Sequence, residues 1–150
     1  MKESFNPYNN FGYLTARISR LIHERAKSKL ISLGYPIPTS CLGILADLIH
    51  ENGATQKQLG SSLVKTKSSI NKMLSVLESY QLVEKLSDPK DARSNLIYIT
   101  KAGEELFYKL AEKDLEFTNH LIHKYGKKTV LDTKAQLNRV YETLLEQSRN

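Results

Sequence analysis

The stretch that most constrains this chain is residues 55–100, where two helical periods are separated by a very short break and followed by two strand-like runs. Thr55, Gln56, Lys57 and Gln58 have the T-x-x-Q spacing of a capping box, in which the first and fourth side chains satisfy each other's free backbone amides. A helix is therefore expected to start there, with Leu59 and Leu63 as its buried contacts. A break falls near Val64 and Lys65, and Thr66 has the right chemistry to cap the next helix. In that helix Ile70, Met73, Leu74 and Leu77 recur at i, i+3, i+4 and i+7, one apolar stripe. After Tyr80 the period changes to that of strands over residues 82–86 and 95–99. The segment between them, SDPKDARS, carries the proline and aspartates of a turn. Short helix, tight turn, amphipathic helix and hairpin together spell a winged helix-turn-helix.

The other face of the second helix holds Lys67, Ser68, Ser69, Asn71, Lys72 and Ser75. It is small, hydrogen-bonding and basic, with no acid. Such a face suits the edge of a DNA major groove, where base donors and acceptors are flanked by phosphates. The charge balance points the same way: the chain has a formal net charge of +6 and a pI near 9.3. The surplus is uneven. Residues 53–101 carry eight Lys and Arg against four Asp and Glu, and residues 102–126 carry three against five.

Outside this unit the chain reads as helices. Residues 1–8 are polar, contain Pro7, and read as loose. A long helix is expected over residues 10–33, with Phe11, Leu14, Ile18, Leu21 and Ile22 on one side and Gly34 as its stop. Thr39 can cap a second helix running to about Glu51 through Leu42, Leu45, Leu48 and Ile49. Thr100 can cap another, with Glu104 and Glu105 complementing its dipole and Leu106, Phe107, Leu110, Phe117, Leu121 and Ile122 on it, ended by Gly126. A last helix takes Val130, Leu137, Tyr141, Leu144 and Leu145. The expected class is mainly α with a small β-hairpin wing. The expected organisation is an N-terminal dimerisation helix (1–38), a winged helix-turn-helix (39–100) and C-terminal dimerisation helices (101–150). The terminal stripes must be buried against something, and the same helices of a second subunit are the simplest partner. A two-fold dimer would then hold two recognition helices roughly 34 Å apart, one turn of DNA.

Several classes are set aside. The single cysteine, Cys41, excludes an internal disulfide and a cysteine metal cluster, and suits a reducing cytoplasm. No apolar run has the length of a membrane span, and MKESFNPYNN lacks the hydrophobic segment of a signal peptide. No Ser-His-Asp logic, glycine-rich phosphate loop or paired-acid system stands out, so neither an enzyme nor a cofactor is expected.

In the wing, Asp91-Ala92-Arg93 is followed by Ser94, Asn95, Leu96, Ile97 and Tyr98 and then Ile99-Thr100, with Asp88-Pro89 just before. In these residues above all, the chain resembles the MarR family of bacterial regulators. Ser68-Ser69-Ile70-Asn71-Lys72-Met73-Leu74 looks like the family's recognition helix. Gln81 departs from the pattern, standing where the family has Gly, and Thr66 stands where Asp is frequent. The resemblance implies a dimeric, ligand-responsive transcription factor, most often a repressor, whose partner is double-stranded DNA. It implies that Thr66, Lys67, Ser68, Ser69, Asn71 and Lys72 lie at the major groove. Arg93 would enter the minor groove, with Asp91 bracing it and Lys90 adding phosphate attraction. It also implies an effector site near the first helix, for which Tyr13, Arg17 and His23 are candidates. A winged-helix module that binds a protein partner instead of an operator is the alternative reading.

Three further features have plainer explanations. Cys41 has no Lys, Arg or His nearby in sequence to favour a thiolate, so it reads as packing and not as a peroxide sensor. Glu116, His120 and His123 share a helix face with ligand-like spacing; a four-coordinate site needs further ligands, which His23 or His50 could supply in space, but surface or interface histidines are the commoner case, so no metal is expected. The aromatics Phe5, Tyr8, Phe11, Tyr13 and Tyr35 read as packing or dimer contacts more than as an effector site.

Overall fold

A computed structural model describes residues 6–149 of the chain. Residues 1–5 of the segment expected to be loose, Phe5 included, lie outside the described part, and Pro7–Asn9 form a single 3-10 turn. The elements that follow are α1 (Phe11–Ser32), α2 (Leu42–His50), β1 (Ala54–Thr55), α3 (Gln56–Ser62), α4 (Lys67–Ser79), β2 (Val83–Asp88), β3 (Asp91–Ile99), α5 (Lys101–Tyr125) and α6 (Lys127–Arg149). They form two compact units, one ending at Leu110 and the other beginning at Ala111, so α5 runs from one into the other. No described helix is long and apolar enough to cross a membrane.

The core of the first unit is built from the stripes read in the sequence. Ile70, Met73, Leu74 and Leu77 of α4 are buried together with Leu45 and Leu48 of α2, Leu59 of α3, and Leu82, Ile97 and Leu106. Each such aliphatic side chain contributes about 1.5–3 kcal/mol on leaving water. Leu30, near the end of α1, joins the same cluster. The rest of the α1 stripe does not: Phe11, Leu14, Ile18, Leu21 and Ile22 are each 40–65% exposed. In the second unit Val130 is buried, but Leu137, Tyr141 and Leu144 of α6 are about half exposed.

The caps follow the predicted chemistry with one exception. Thr55 and Gln58 form the full capping box of α3, with Gln58 N–H donating to Thr55 Oγ1 at 3.2 Å and Thr55 N–H to Gln58 Oε1 at 2.8 Å. Asn10 caps α1 by accepting from Tyr13 N–H at 3.2 Å. Thr39, however, does not cap α2. It opens a 3-10 turn over Thr39–Cys41, and no side-chain cap bond forms at Pro38 or Cys41. Pro38 holds that turn instead: its carbonyl accepts from Cys41 N–H, so the chain enters α2 already curled.

The sheet differs from the expected hairpin in two respects. It has three antiparallel strands in the order β1-β3-β2. Asn52 recruits the extra strand: its Oδ1 accepts from Gly53 N–H and from Ile99 N–H, and Ala54 then pairs with Ile97. A two-residue strand has too short a period to be read from sequence. In addition, the strands reach the wing tip. Ser87 pairs with Asn95 and Asp88 with Asp91, the register shifting between them, so much of the segment read as a loop is strand. Polar residues on both faces hid it, because the ribbon there has no buried face to impose alternation.

Three helices of the first unit end in the same way, with a left-handed residue after the cap. At α1 it is Gly34 (φ +85°), with Gly34 N–H bonded to Ile31 C=O and Tyr35 N–H to Leu30 C=O. At α4 it is Gln81 (φ +56°), with Gln81 N–H bonded to Glu78 C=O and Leu82 N–H to Leu77 C=O, each at 2.9 Å. At α3 it is Val64 (φ +51°), with Lys65 N–H bonded to Gly60 C=O at 2.9 Å. Only the first has glycine at this position, although a Cβ in this region costs about 1–2 kcal/mol. The substitutions Val64→Gly and Gln81→Gly are therefore each expected to raise unfolding stability by about 1 kcal/mol. Urea unfolding would register this as a higher midpoint at unchanged slope. A lower midpoint for either variant would contradict the left-handed assignment at that residue.

Candidate nucleic-acid interface

The exposed side of α4 is fixed by its buried side. With Ile70, Met73, Leu74 and Leu77 inward, Lys67, Ser68, Asn71, Lys72 and Ser75 form one continuous exposed stripe. No acidic residue interrupts it. Asn71 and Lys72 are exposed. Ser75 turns its hydroxyl back onto the Asn71 carbonyl at 2.9 Å. Thr66 and Ser69 are also occupied: Thr66 Oγ1 accepts from Ser69 N–H at 3.2 Å and donates to Ser69 Oγ at 3.1 Å. These two residues hold the start of the helix, while the Ser69 O–H remains available as a donor.

Lys67 occupies the first position of α4, and the first turn holds no acid. A cation at the positive end of a helix dipole is unfavourable by about 0.3–1 kcal/mol. A residue that weakens its own helix in this way is one whose side chain is suited to an anion outside the fold.

At the wing tip both aspartates bind the main chain. Asp88 Oδ1 accepts from Lys90 N–H at 2.8 Å, and Asp91 Oδ1 accepts from Arg93 N–H at 3.0 Å. The expected bracing of Arg93 by Asp91 thus runs through the Arg93 amide, which shapes the turn. Lys90 and Arg93 themselves are exposed.

Between α3, the α3–α4 turn and β3 lies a groove of about 590 Å³. Lys57, Lys65 and Lys67 line one side, and Arg93 and Asn95 the other. Four cations and no carboxylate share this wall. Lys57 and Lys65 are not among the residues the sequence pattern singles out. The available signals were indirect: the capping box puts Lys57 in the first turn of α3, and the helix break puts Lys65 at its end. Neither signal shows that β3 comes up beside them.

The remaining candidates separate. Arg17 lies over the Tyr13 ring at 5.6 Å, and Tyr8 meets Tyr13 edge-on at 5.8 Å. His23 is apart from them, within reach of Ser19 Oγ at 3.4 Å, and ten residues of helix place it roughly 15 Å along the axis from Tyr13. Tyr13 and Arg17 are thus paired with each other, and His23 stands apart from them along the helix. Glu116 is held by Lys113 Nζ at 2.6–2.7 Å, and no three metal-ligating side chains come together among the described residues. Cys41 is fully buried, its Sγ 3.9 Å from the Met73 carbonyl, and burial pushes its thiol up to about 11.

Comparison with known proteins agrees with this anatomy. The MarR family model matches residues 41–94. The uncharacterized HTH-type transcriptional regulator YhbI of Bacillus subtilis is 33% identical over 95 residues, 62% of each chain. A second one from that organism, YxaD, is 29% identical over 83 residues, 55% of this chain and 58% of its own length. The chain thus spans about three fifths of the curated relatives it matches. Among solved structures, a Staphylococcus aureus MepR–DNA complex superposes with a TM-score of 0.74 at 23% identity, covering 93% of this chain and 99% of that one. PcaV of Streptomyces coelicolor, in complex with its natural ligand, gives 0.73 at 18% identity, covering 93% and 96%. At these identities the superpositions establish the fold.

Two outcomes are expected. Lys67→Glu should leave thermal stability unchanged or higher, by up to about 1 kcal/mol, while weakening attraction for any polyanion; calorimetry and heparin retention read the two effects separately. Cys41 should stay a protonated thiol through pH 8, because its folded pKa lies above the unfolded one. The stability linked to that thiol is present below pH 9 and is lost as pH rises through about 11. A thiol reagent at pH 8 should therefore label the native protein far more slowly than the unfolded protein, and rapid native labelling would contradict the burial.

Proposed function

We propose that the chain is a transcriptional regulator of the MarR type that binds a pseudo-palindromic operator as a homodimer. The observation that carries the reading is the acid-free α4 face, continued through a cationic groove to Arg93. Asn71 and Lys72 face base edges: Asn can bond adenine with both side-chain groups, and Lys can reach guanine or a phosphate. Ser68 and Lys67 flank them, and Thr66 and Ser69 set the helix start. Arg93 enters the neighbouring minor groove, where a narrow groove concentrates negative potential. Lys90 adds charge at the tip, and Asp91 fixes the turn. A MepR structure contains DNA, which supports a DNA partner for a chain of the same fold.

The dimer rests on the exposed stripes. Phe11, Leu14, Ile18, Leu21 and Ile22 in the segment 1–38, and Leu137, Tyr141 and Leu144 in 101–150, leave apolar side chains about half exposed, surface that a second subunit would cover. Pairing them across a two-fold axis would cover both sets. A small-molecule effector is supported by PcaV, solved with its natural ligand. Since Tyr13 and Arg17 lie apart from His23, an effector site that uses all three needs residues from both subunits. The effector acts by population shift, favouring a spacing of the two α4 helices that DNA does not match. Repression released by such a ligand is the simplest outcome. No feature calls for catalysis, and family and fold are those of regulators. Gln81 adopts the left-handed conformation that the family's glycine would supply, so its departure from the pattern does not favour the protein-interaction alternative.

Titration of the purified protein against its own upstream DNA by fluorescence anisotropy, over a salt series, tests the reading. Light scattering on the same samples tests the dimer. Arg93→Ala is expected to weaken operator binding by about 1–3 kcal/mol. Equal affinity for upstream and scrambled DNA at matched salt, or a monomer on DNA, would refute the proposal.

A further inference from the structure

The hook that brings β1 into the sheet is also a reactive dipeptide. In Asn-Gly a backbone amide nitrogen stands beside a side-chain amide carbon, with no Cβ to shield it. The Gly53 nitrogen can give up its proton and bond to Asn52 Cγ. The Cγ–Nδ2 bond then breaks, and Nδ2 leaves with that proton as ammonia, closing a succinimide ring. Water opens the ring at one of its two C–N bonds. Breaking Cγ–N gives aspartate; breaking the bond from N to the main-chain carbonyl carbon gives isoaspartate, with a CH2 drawn into the backbone. The fold calls for both residues. Asn52 supplies the Oδ1 that accepts from Gly53 N–H at 3.1 Å and from Ile99 N–H at 2.9 Å. Gly53 has φ +85°, and a Cβ there would meet the Tyr98 ring at 2.9 Å. The dipeptide most open to this rearrangement therefore stands at the root of the wing.

We propose that Asn52-Gly53 is a modification site gated by the sheet: it is closed while β1 pairs with β3, it deamidates when that pairing opens, and the isoaspartate formed cannot rebuild the hook. The proposal is independent of what the chain binds. The closed state is held at the nucleophile. Gly53 N–H is shared between the Ile97 carbonyl and Asn52 Oδ1, each at 3.1 Å. An amide nitrogen attacks only after losing that proton, with its lone pair, perpendicular to the amide plane, aimed at Cγ. Here the N–H edge faces the side chain instead. The pairing that enforces this is short, since β1 contributes only Ala54 and Thr55, opposite Ile97 and Leu96. Asn52 is exposed, so water enters and ammonia leaves without the core opening. A surface segment held by few bonds opens locally at far less than the cost of global unfolding. The geometry of the product makes the step one-way. In isoaspartate Oδ1 becomes the carbonyl oxygen of the link to Gly53, and a trans amide points its C=O and N–H in opposite directions. In the native hook both groups face β3, Oδ1 bonding Ile99 and Gly53 N–H bonding Ile97. One planar amide can satisfy either partner but not both.

The test begins with the full chain held at mildly alkaline pH, with and without unfolding concentrations of urea. Peptides spanning Asn52 are cut at acid pH, which stops the reaction, and followed by mass spectrometry for the change of amide to acid and for isoaspartate. The folded protein should convert at least about tenfold more slowly than the unfolded one, because its rate is the unfolded rate scaled by the open fraction. Converted protein is then refolded, the isoaspartate form is separated, and amide hydrogen exchange is read at Gly53 and Ile99. One or both amides should exchange about tenfold or more faster than in unmodified protein. Asn52→Asp supplies the other product directly. It should keep slow exchange at both amides, because a carboxylate oxygen still accepts there. Equal conversion rates with and without urea overturn the gating. Wild-type exchange in the isoaspartate form overturns the loss of the hook. The same loss of protection in Asn52→Asp would trace the effect to charge and overturn the backbone argument.

Discussion

Everything that faces outward in the first unit depends on one junction, where the end of α4, the base of the wing and the start of α5 are tied together. Gln81 turns left-handed and ends the helix, and its carbonyl accepts from Thr100 Oγ1 at 2.7 Å. The same Thr100 hydroxyl accepts from Gly103 N–H at 3.1 Å, capping α5. Thr100 N–H in turn bonds the Leu82 carbonyl at 3.0 Å. A Cβ at Gly103 would run into that carbonyl, so α5 can approach the wing only through glycine. Buried Leu77, Leu82, Ile99 and Leu106 lie in the same core. A slip here would change the angle between α4 and the wing, and with it the width of the groove between them.

Much of this was legible because it is local. The capping box, the Thr66 cap and the four-residue stripe of α4 are chemistry within one helical turn or two, and they appear as predicted. The Thr100 cap was legible for the same reason. What escaped is non-local or dominated by backbone. Strand β1 exists because Asn52 finds Ile99, forty-seven residues away. The groove exists because Arg93 on β3 comes up beside Lys57 and Lys65, and no spacing rule links those three. Thr39 was misjudged because a serviceable cap residue was preceded by a proline whose carbonyl already organises the turn.

Local preference and final structure disagree at Val64 and Gln81, where ordinary side chains hold a conformation that suits glycine. Both sit at helix ends that flank the proposed interface, one before α4 and one after it. Positions that break a local rule without a packing reason concentrate at functional sites, since the surrounding fold must supply the energy to hold them. The Lys67 side chain at the positive end of α4 belongs with them. Three small departures from optimal stability thus bracket a single helix.

The pairing of the sheet sets how the wing can move. Strand β1 supports β3 only at Leu96 and Ile97, and from Asn95 outward the ribbon has two strands. The wing is therefore a lever pivoted near Thr55, rigid at its root and pliant beyond it. Because Arg93 rides on the pliant arm while Lys57 is anchored beside the pivot, the aperture between them can widen or narrow at little expense to the core. On the proposed operator, such a wing would follow local variation in the double helix with its fingertip while its grip stays put.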